Sequence, residues 1–215
     1  MKRWLAGLYA VTPDVAGVPE LVAMVEAALT GGARLLQYRN KSATSELQLA
    51  QARALLGPCR RMKVPLIIND HLELALAVGA DGVHLGAEDG SLATARERLG
   101  PARILGASCY DRLELALEAQ RLGADYVVFG SFFPSGVKPN AVRAPLALLR
   151  DAKRRLSVPV VAIGGISLEN APQLIAAGAD SVAVISALFG ADDVTAAARR
   201  FSELFKQHEL AGRHG

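Results

Sequence analysis

The stretch Gly79-Ala80-Asp81-Gly82-Val83-His84-Leu85 contains the short motif that decides the fold. Its Gly-Ala-Asp triplet recurs at residues 123–125 and 178–180, and Gly32-Ala33-Arg34 is a fourth, degenerate copy. Each copy follows a helix-like stretch and precedes a short apolar run. The glycine of each copy is therefore predicted to end its helix with a positive φ and to turn the chain back into a sheet.

Short apolar runs of strand length alternate with longer helical patterns on both sides of these motifs. The predicted strands are 8–11, 35–39, 66–69, 82–85, 104–108, 126–130, 160–164 and 181–186. The predicted helices are 19–29, 45–61, 72–78, 92–99, 113–122, 145–156, 171–177 and 194–208. The four motif copies precede strands two, four, six and eight, a two-unit period that a closed barrel explains. We predict an α/β fold, a single (β/α)8 TIM barrel domain over residues 1–215, with an open doubly wound sheet as the alternative.

Composition restricts the class of protein. The chain has 215 residues, of which 51% are hydrophobic and 21% charged, so intrinsic disorder is excluded. No window reaches the roughly 18 apolar residues of a membrane span, and the net charge of +3 comes without the aromatic-interleaved basic runs of nucleic-acid binders. Cys59 and Cys109 have no disulfide or metal-binding spacing. We expect a cytoplasmic protein without nucleic-acid or membrane partners; its oligomeric state stays open, a homodimer being one alternative.

Two features at the last strands indicate a phosphate site. Gly164-Gly165 stands at the end of strand seven, and Ile185-Ser186 stands at the end of strand eight. In a barrel of this type the loops after these strands often bind phosphate, and paired glycines let an anion approach backbone N–H groups. Ser186 is predicted to cap a short helix facing the same anion.

Carboxylates follow two adjacent strands, in Asn69-Asp70-His71 and in Gly86-Ala87-Glu88-Asp89. Oxygen ligands without cysteine are those that Mg²⁺ prefers, especially beside substrate phosphates. The alternative is that Asp70 and Asp89 only cap the helices that follow, and the spacing alone does not decide between the two.

Cations and one hydroxyl reach the same end of the barrel. Arg39 and Lys41 follow strand two, Lys138 lies in the loop after strand six, and Ser108 ends strand five, where it can also be a turn residue. The chain has no GxSxG, HExxH or P-loop motif, and His84 inside strand four is interpreted as a core residue. A site with many electrostatic stabilisers and few bases suits the departure of pyrophosphate.

The sequence resembles that of the thiamine phosphate synthases. The resemblance covers nearly the whole chain, and its specificity lies in the order and spacing of individually modest motifs. These motifs are Leu8-Tyr9-Ala10-Val11-Thr12, Gln37-Tyr38-Arg39-Asn40-Lys41, Leu66-Ile67-Ile68-Asn69-Asp70, Gly79-Ala80-Asp81-Gly82-Val83-His84-Leu85-Gly86, Gly130-Ser131-Phe132-Phe133-Pro134 and Val161-Ala162-Ile163-Gly164-Gly165-Ile166.

The resemblance implies a barrel enzyme that joins 4-amino-5-hydroxymethyl-2-methylpyrimidine diphosphate to a thiazole phosphate and releases pyrophosphate, with Mg²⁺ as cofactor. It implies that the pyrimidine diphosphate binds Gln37, Tyr38, Arg39, Asn40, Lys41, Asn69, Ser108 and Lys138. Of these, Arg39, Lys41, Ser108 and Lys138 are the implied catalytic residues. The thiazole phosphate would bind Ser135, Gly136, Val137, Gly165, Ile185 and Ser186, and Asp70 and Asp89 would hold the metal.

The sequence departs from the family pattern at three positions. Asn40 replaces a usual glutamate, Ala87 a usual glutamine, and Val137 a usual threonine. Three alternatives remain at this stage: a thiazole tautomerase, which generally lacks the full diphosphate and Mg²⁺ set; a Schiff-base aldolase using Lys138; and a non-enzymatic thiamine-responsive binding module.

Overall fold

Eight parallel strands close into a barrel in the computed structural model, which describes residues 5–134 and 142–212. The strands are β1 (Gly7–Val11), β2 (Leu35–Tyr38), β3 (Leu66–Asn69), β4 (Gly82–Leu85), β5 (Ile104–Tyr110), β6 (Tyr126–Phe129), β7 (Val160–Ile163) and β8 (Ser181–Val184). The helices are α1 (Val18–Thr30), α2 (Ser45–Met62), α3 (Leu72–Val78), α4 (Leu92–Leu99), α5 (Leu113–Arg121), α6 (Leu146–Arg155), α7 (Ala171–Ala176), α8 (Ser186–Phe189) and α9 (Val194–Gly212).

Each strand pairs with its neighbours in chain order, and β8 pairs with β1 to complete the barrel. Tyr9 of β1 stands opposite Leu35 of β2 on one side and Ala183 of β8 on the other. The predicted (β/α)8 barrel is confirmed, and the open-sheet alternative is wrong. The predicted strand ends differ from the observed ones by at most two residues; β8 stops at Val184 because Ser186 begins α8.

The glycine and the aspartate of the Gly-Ala-Asp repeat each have a structural role. Gly79, Gly123, Gly178 and Gly32 have φ values of 68°, 88°, 107° and 104°, as the sequence predicts. The aspartates add a contact that sequence analysis missed, because each carboxylate accepts the N–H of a residue at the start of the preceding strand. The pairs are Asp81 with Leu66, Asp125 with Leu105, and Asp180 with Val160, each at 2.8 Å.

Alternation along the strands divides the apolar residues into two layers. One layer fills the barrel, with side chains from alternate strand positions such as Tyr9, Leu35, Ile67, Tyr126 and Val161. The other lies between the barrel and the surrounding helices and is built mainly from Ala, Val, Leu and Ile. Apolar side chains therefore fill most of the barrel, and the loops at the carboxyl ends of the strands supply the charged groups.

Within the described ranges, 5–134 and 142–212, no helix is both long enough and apolar enough to cross a bilayer.

Candidate active site

The loop after β2 places Arg39 against a residue that sequence analysis did not single out. Arg39 Nη1 donates to Asp14 Oδ1 at 2.9 Å, and the backbone N–H of Lys41 donates to the same oxygen at 3.2 Å. Thr12 fixes the start of this loop, because its hydroxyl donates to the Arg39 carbonyl and accepts the Arg39 N–H, both at 2.8 Å. The first two strand-end loops are therefore held together around the Arg39 guanidinium.

Lys41 and Asp70 form an ion pair at the mouth of the barrel, with Nζ 3.1 Å from Oδ2. The Lys41 side chain is 53% exposed, whereas that of Asp70 is 17% exposed. Asp70 has a φ of 63°, a region that non-glycine residues rarely adopt, and its backbone N–H donates to the His84 carbonyl at 2.8 Å. The ends of β3 and β4 thus hold Asp70 beside an exposed cationic side chain.

Asp70 and Asp89 line one hollow of about 330 Å³, here called the acidic hollow. Asp89 Oδ2 accepts the Gly86 N–H at 2.7 Å, which folds the loop after β4 around its own carboxylate. Neither aspartate caps a helix: α3 begins after His71 without a side-chain cap, and Ser91 caps α4. The helix-cap alternative is therefore wrong.

The acidic hollow suits a hard cation that shares its ligands with a substrate. Among the described residues no group of three or more His, Cys, Asp or Glu side chains forms a complete metal cage. Mg²⁺ is usually held by one or two carboxylates together with substrate phosphates and water, so the oxygen donors of Asp70 and Asp89 fit this ion.

A second hollow of about 230 Å³ lies between the loops after β7 and β8, and we call it the glycine hollow. Gly164, Gly165, Ile185 and Ser186 all line it, so the structure brings together the described residues of the sequence-predicted phosphate site. A Cβ on Gly165 would lie 2.2 Å from the Pro134 carbonyl oxygen, so only glycine fits there. The prediction that Ser186 caps α8 is wrong, because Ile185 is the cap and Ser186 is the first helical residue.

The side chains of Tyr38 and Asn40 both bind Gln51 of α2, so their predicted contacts with the pyrimidine diphosphate stay predictions. Tyr38 belongs to the layer between barrel and helices, and its hydroxyl donates to Gln51 Oε1 at 2.7 Å. Burial, followed by the charge of Asp14, raises the pKa of Tyr38 to about 12. Asn40 Nδ2 donates to the Val15 carbonyl at 2.8 Å and to Gln51 at 3.0 Å. The Asn40 amide therefore anchors this loop to the Val15 carbonyl and to α2.

Inside the barrel, Gln37 and Ser108 are connected by a row of hydrogen bonds. Gln37 Nε2 donates to the Tyr9 hydroxyl at 2.7 Å, and the Tyr9 and Tyr126 hydroxyls are 2.7 Å apart. His84 Nδ1 lies 3.2 Å from the Tyr126 hydroxyl, and His84 Nε2 lies 2.8 Å from Ser108 Oγ. Desolvation raises the pKa of both tyrosines well above its ordinary value, so both stay protonated. His84 is thus buried, as interpreted from the sequence, but it directly contacts a candidate site residue.

Five residues of the mouth and interior were missed or undervalued by sequence reasoning: Thr12, Asp14, Tyr9, His84 and Tyr126. The last three occupy inward-facing positions of their strands, where a polar side chain is unusual, and this alternation is the signal that could have identified them. Asn69 ends β3 beside Asp70. Ser135, Gly136, Val137 and Lys138 lie outside the described residues.

The chain is similar to known proteins over nearly its whole length. A profile of the family described as thiamine monophosphate synthase matches residues 8–188. The chain is 55% identical over 209 residues to a thiamine-phosphate synthase of Nitrosospira multiformis, covering 97% of this chain and 89% of the relative. It is 56% identical over 201 residues to that of Methylobacillus flagellatus, covering 94% and 96%. A solved thiamine phosphate pyrophosphorylase from Pyrococcus furiosus has a TM-score of 0.82 at 37% identity, over 94% of this chain and 96% of that one.

Proposed function

The chain belongs to the thiamine monophosphate synthase family, and from this we propose how its barrel mouth performs the reaction. It is a transferase that joins 4-amino-5-hydroxymethyl-2-methylpyrimidine diphosphate to a thiazole phosphate and releases pyrophosphate in thiamine biosynthesis. The observation that supports this most directly is the presence of two hollows at the carboxyl ends of the strands. One contains Asp89 and Asp70, the partner of Lys41, and the other is built on paired glycines.

The pyrimidine diphosphate occupies the side of the mouth formed by β2 to β5. Arg39 and Lys41 bind the diphosphate oxygens, and Lys41 leaves its ion pair with Asp70 as the polyanion arrives. Asn69, Gln37 and Ser108 bind near the pyrimidine, and Lys138 is assigned to the same substrate by the family pattern. Of the segment from Gln37 to Lys41, we assign Tyr38 and Asn40 a supporting role only, because their side chains contact Gln51.

Asp70 and Asp89 are the residues that would hold Mg²⁺. The ion, when bound, supplies positive charge against the diphosphate and so makes pyrophosphate a better leaving group. Asp89 Oδ2 is already engaged by the Gly86 N–H, which orients its carboxylate within the acidic hollow. Both carboxylates belong to loops that backbone hydrogen bonds anchor. Their oxygens are therefore positioned for the ion before it binds.

The chemical step needs charge stabilisation but no base. The bond between the pyrimidine methylene carbon and the diphosphate oxygen breaks, and its electron pair leaves with pyrophosphate. The thiazole nitrogen then donates its lone pair to the methylene carbon and forms the new C–N bond. No proton is removed from either substrate, so the reaction needs the positive charge of Arg39 and Lys41 and does not need a general base.

The thiazole phosphate binds in the glycine hollow. Gly165 leaves room for the phosphate next to the backbone, and Ile185 and Ser186 line the opposite wall. The family pattern adds Ser135, Gly136 and Val137. This hollow lies across the mouth from Asp70 and Asp89, so the two phosphorylated substrates approach from opposite sides.

We propose a single barrel domain over residues 1–215 and the cytoplasm as the compartment. Cys59 and Cys109 are buried free thiols, a state that a reducing environment preserves.

Pyrophosphate release tests the function directly. We expect release only when both substrates and Mg²⁺ are present, and its loss on chelation with EDTA. Asp70→Ala and Asp89→Ala should each abolish Mg²⁺-dependent coupling while leaving the circular dichroism spectrum and melting temperature near those of the wild type. Glu97→Ala, which removes an exposed carboxylate from α4, is the matched control and should keep full activity.

Wild-type turnover in either aspartate variant would contradict the metal assignment without affecting the function. Folded wild-type protein that released no pyrophosphate would contradict the function itself and would favour the thiazole tautomerase alternative.

A further inference from the structure

We propose that Tyr9, Tyr126 and His84 are positioning residues that fix which hydrogen-bonding atoms Gln37 and Ser108 present to the pyrimidine ring of the substrate. The inference deepens the proposed function and rests on it, since the ring must reach these two side chains. We call the five residues Gln37, Tyr9, Tyr126, His84 and Ser108 the interior chain.

The interior chain joins five strands through a polar path in an otherwise apolar barrel. Its contacts run from β2 to β1, β6, β4 and β5 with distances of 2.7, 2.7, 3.2 and 2.8 Å. Tyr9 and Tyr126 in the middle have no exposed surface, whereas Gln37 keeps 6% and Ser108 is half-buried. Solvent access therefore increases toward the two ends, where a ligand in the mouth can reach the chain.

The orientation of the Gln37 amide gives the interior chain a direction. Either tyrosine hydroxyl can donate to the other, and the roles of the two His84 nitrogens depend on the tautomer. We assign the arrangement in which Gln37 Nε2 donates to Tyr9, Tyr9 to Tyr126, Tyr126 to His84 Nδ1, and the N–H at His84 Nε2 to Ser108 Oγ, because it gives each of these protons an acceptor. In this arrangement every member donates to the next one. Gln37 retains its carbonyl oxygen as an acceptor, and Ser108 retains its hydroxyl proton as a donor.

A glycine in β5 makes the central contact sterically possible. A Cβ on Gly106 would lie 2.2 Å from Tyr126 Cζ, 2.3 Å from the Tyr126 hydroxyl and 2.5 Å from His84 Nδ1. Glycine is unfavourable in a strand interior, and such a position often marks the close approach of another group. The contact between Tyr126 and His84 thus depends on Gly106, which takes part in it only by leaving space.

The polarity of the two ends matches the chemistry of an aminopyrimidine. The ring carries an exocyclic amino group that donates hydrogen bonds and ring nitrogens that accept them. The Gln37 carbonyl oxygen complements the amino group, and the Ser108 hydroxyl complements a ring nitrogen. A 4-oxo analogue, in which the amino group is replaced by a carbonyl oxygen and the adjacent ring nitrogen is protonated, would reverse that edge of the ring and meet an acceptor with an acceptor.

Substrate discrimination tests the interior chain. The measured quantity is the ratio of kcat/KM for the amino substrate to that for its 4-oxo diphosphate analogue, in wild type, Tyr9→Phe, Tyr126→Phe and Gly106→Ala. We expect each variant to lower this ratio by about tenfold to a hundredfold, the range of one unsatisfied buried hydrogen bond. The KM for the thiazole phosphate should stay unchanged in the phenylalanine variants.

Ser181→Ala is the control for general loss of a buried hydroxyl. Ser181 Oγ donates to the Gly7 carbonyl at 2.7 Å at the opposite end of the barrel, so its removal should lower stability without changing the ratio. Gly106→Ala keeps every polar atom of the interior chain. A lower ratio in this variant would therefore be due to displacement of Tyr126 and His84 alone. If this variant does not fold, the two phenylalanine variants still decide the result.

The outcomes separate this inference from the function on which it rests. An inactive wild type would contradict the proposed function. An active wild type with an unchanged ratio in folded Tyr9→Phe and Tyr126→Phe would contradict the positioning role only. Equal losses for both substrates, with a lower melting temperature, would show that the tyrosines serve the core and would likewise overturn the proposal.

Discussion

Gly165 keeps the glycine hollow open because it has no Cβ. Gly165 has a φ of 61°, and the nearest atom to its missing Cβ is the carbonyl oxygen of Pro134. Backbone of this kind cannot move aside as a flexible side chain would. The residue therefore has two separate constraints, a left-handed conformation and a steric one, and only the second concerns the proposed substrate site.

A comparison of two glycine substitutions separates these constraints. We expect Gly165→Ala to raise the KM for the thiazole phosphate at least about tenfold, because the displaced loop fills the hollow or tilts its wall. The KM for the pyrimidine diphosphate should change little. Gly79→Ala is the control, since Gly79 has a similar φ of 68° with no atom within 4 Å of its missing Cβ. Steady-state kinetics with each substrate varied in turn would contradict the assignment if both KM values rose together.

Among the structural elements, β4, β6 and β8 are each joined to the strand before them by the aspartate that precedes them. Asp180 makes two hydrogen bonds with Val160. Its backbone N–H donates to the Val160 carbonyl at 2.8 Å, and its carboxylate accepts the Val160 N–H at 2.8 Å. Asp81 and Asp125 repeat this with Leu66 and Leu105. The degenerate copy has Arg34 in this place and keeps only the backbone bond, to the Leu8 carbonyl. The repeat therefore joins neighbouring strands at the amino-terminal end of the barrel.

Removal of one such carboxylate should destabilise the fold measurably. We expect Asp180→Ala to lower the free energy of unfolding by about 1–3 kcal/mol, because the N–H of buried Val160 loses its partner. Asp180→Asn retains an acceptor oxygen and should lose less. Asp151→Ala removes an exposed aspartate that pairs with Arg154 within α6, and we expect a change below about 0.5 kcal/mol. Urea unfolding measures all three, and equal effects of Asp180→Ala and Asp151→Ala would contradict the fastening role.

For the whole molecule, the regular period of the sequence was sufficient to predict the barrel but not its polar interior. The alternation of strands and helices and the four glycines repeat along the chain, so local patterns identify them. Helix α8 has four residues, too few for a helical period to be visible. Tyr9 and Tyr126 are separated by 117 residues, and only closure of the barrel brings their hydroxyls together. The mouth residues were predictable one strand at a time, whereas the contacts between them were not.

The buried thiols make the stability of the whole molecule sensitive to alkaline pH. Desolvation raises the pKa of Cys59 and of Cys109 from 9.0 to about 12; the charge of Asp81 adds to the shift at Cys59. Above about pH 9 the unfolded chain loses thiol protons that the folded chain keeps, so the unfolded state binds fewer protons. The free energy of unfolding must then fall as pH rises, by up to about 1.4 kcal/mol per pH unit for each thiol.

Cys59→Ala tests this linkage, since Cys59 lies on α2 and contributes nothing to the mouth. We expect the variant to be less stable at neutral pH, because it leaves a small cavity, but to lose stability less steeply between pH 9 and 10.5 than the wild type. Leu55→Ala, a buried substitution on the same helix, should lower the whole curve and leave its slope unchanged. Urea unfolding at half-unit pH intervals gives the slopes, and parallel curves for wild type and Cys59→Ala would show that this thiol is not the titrating group.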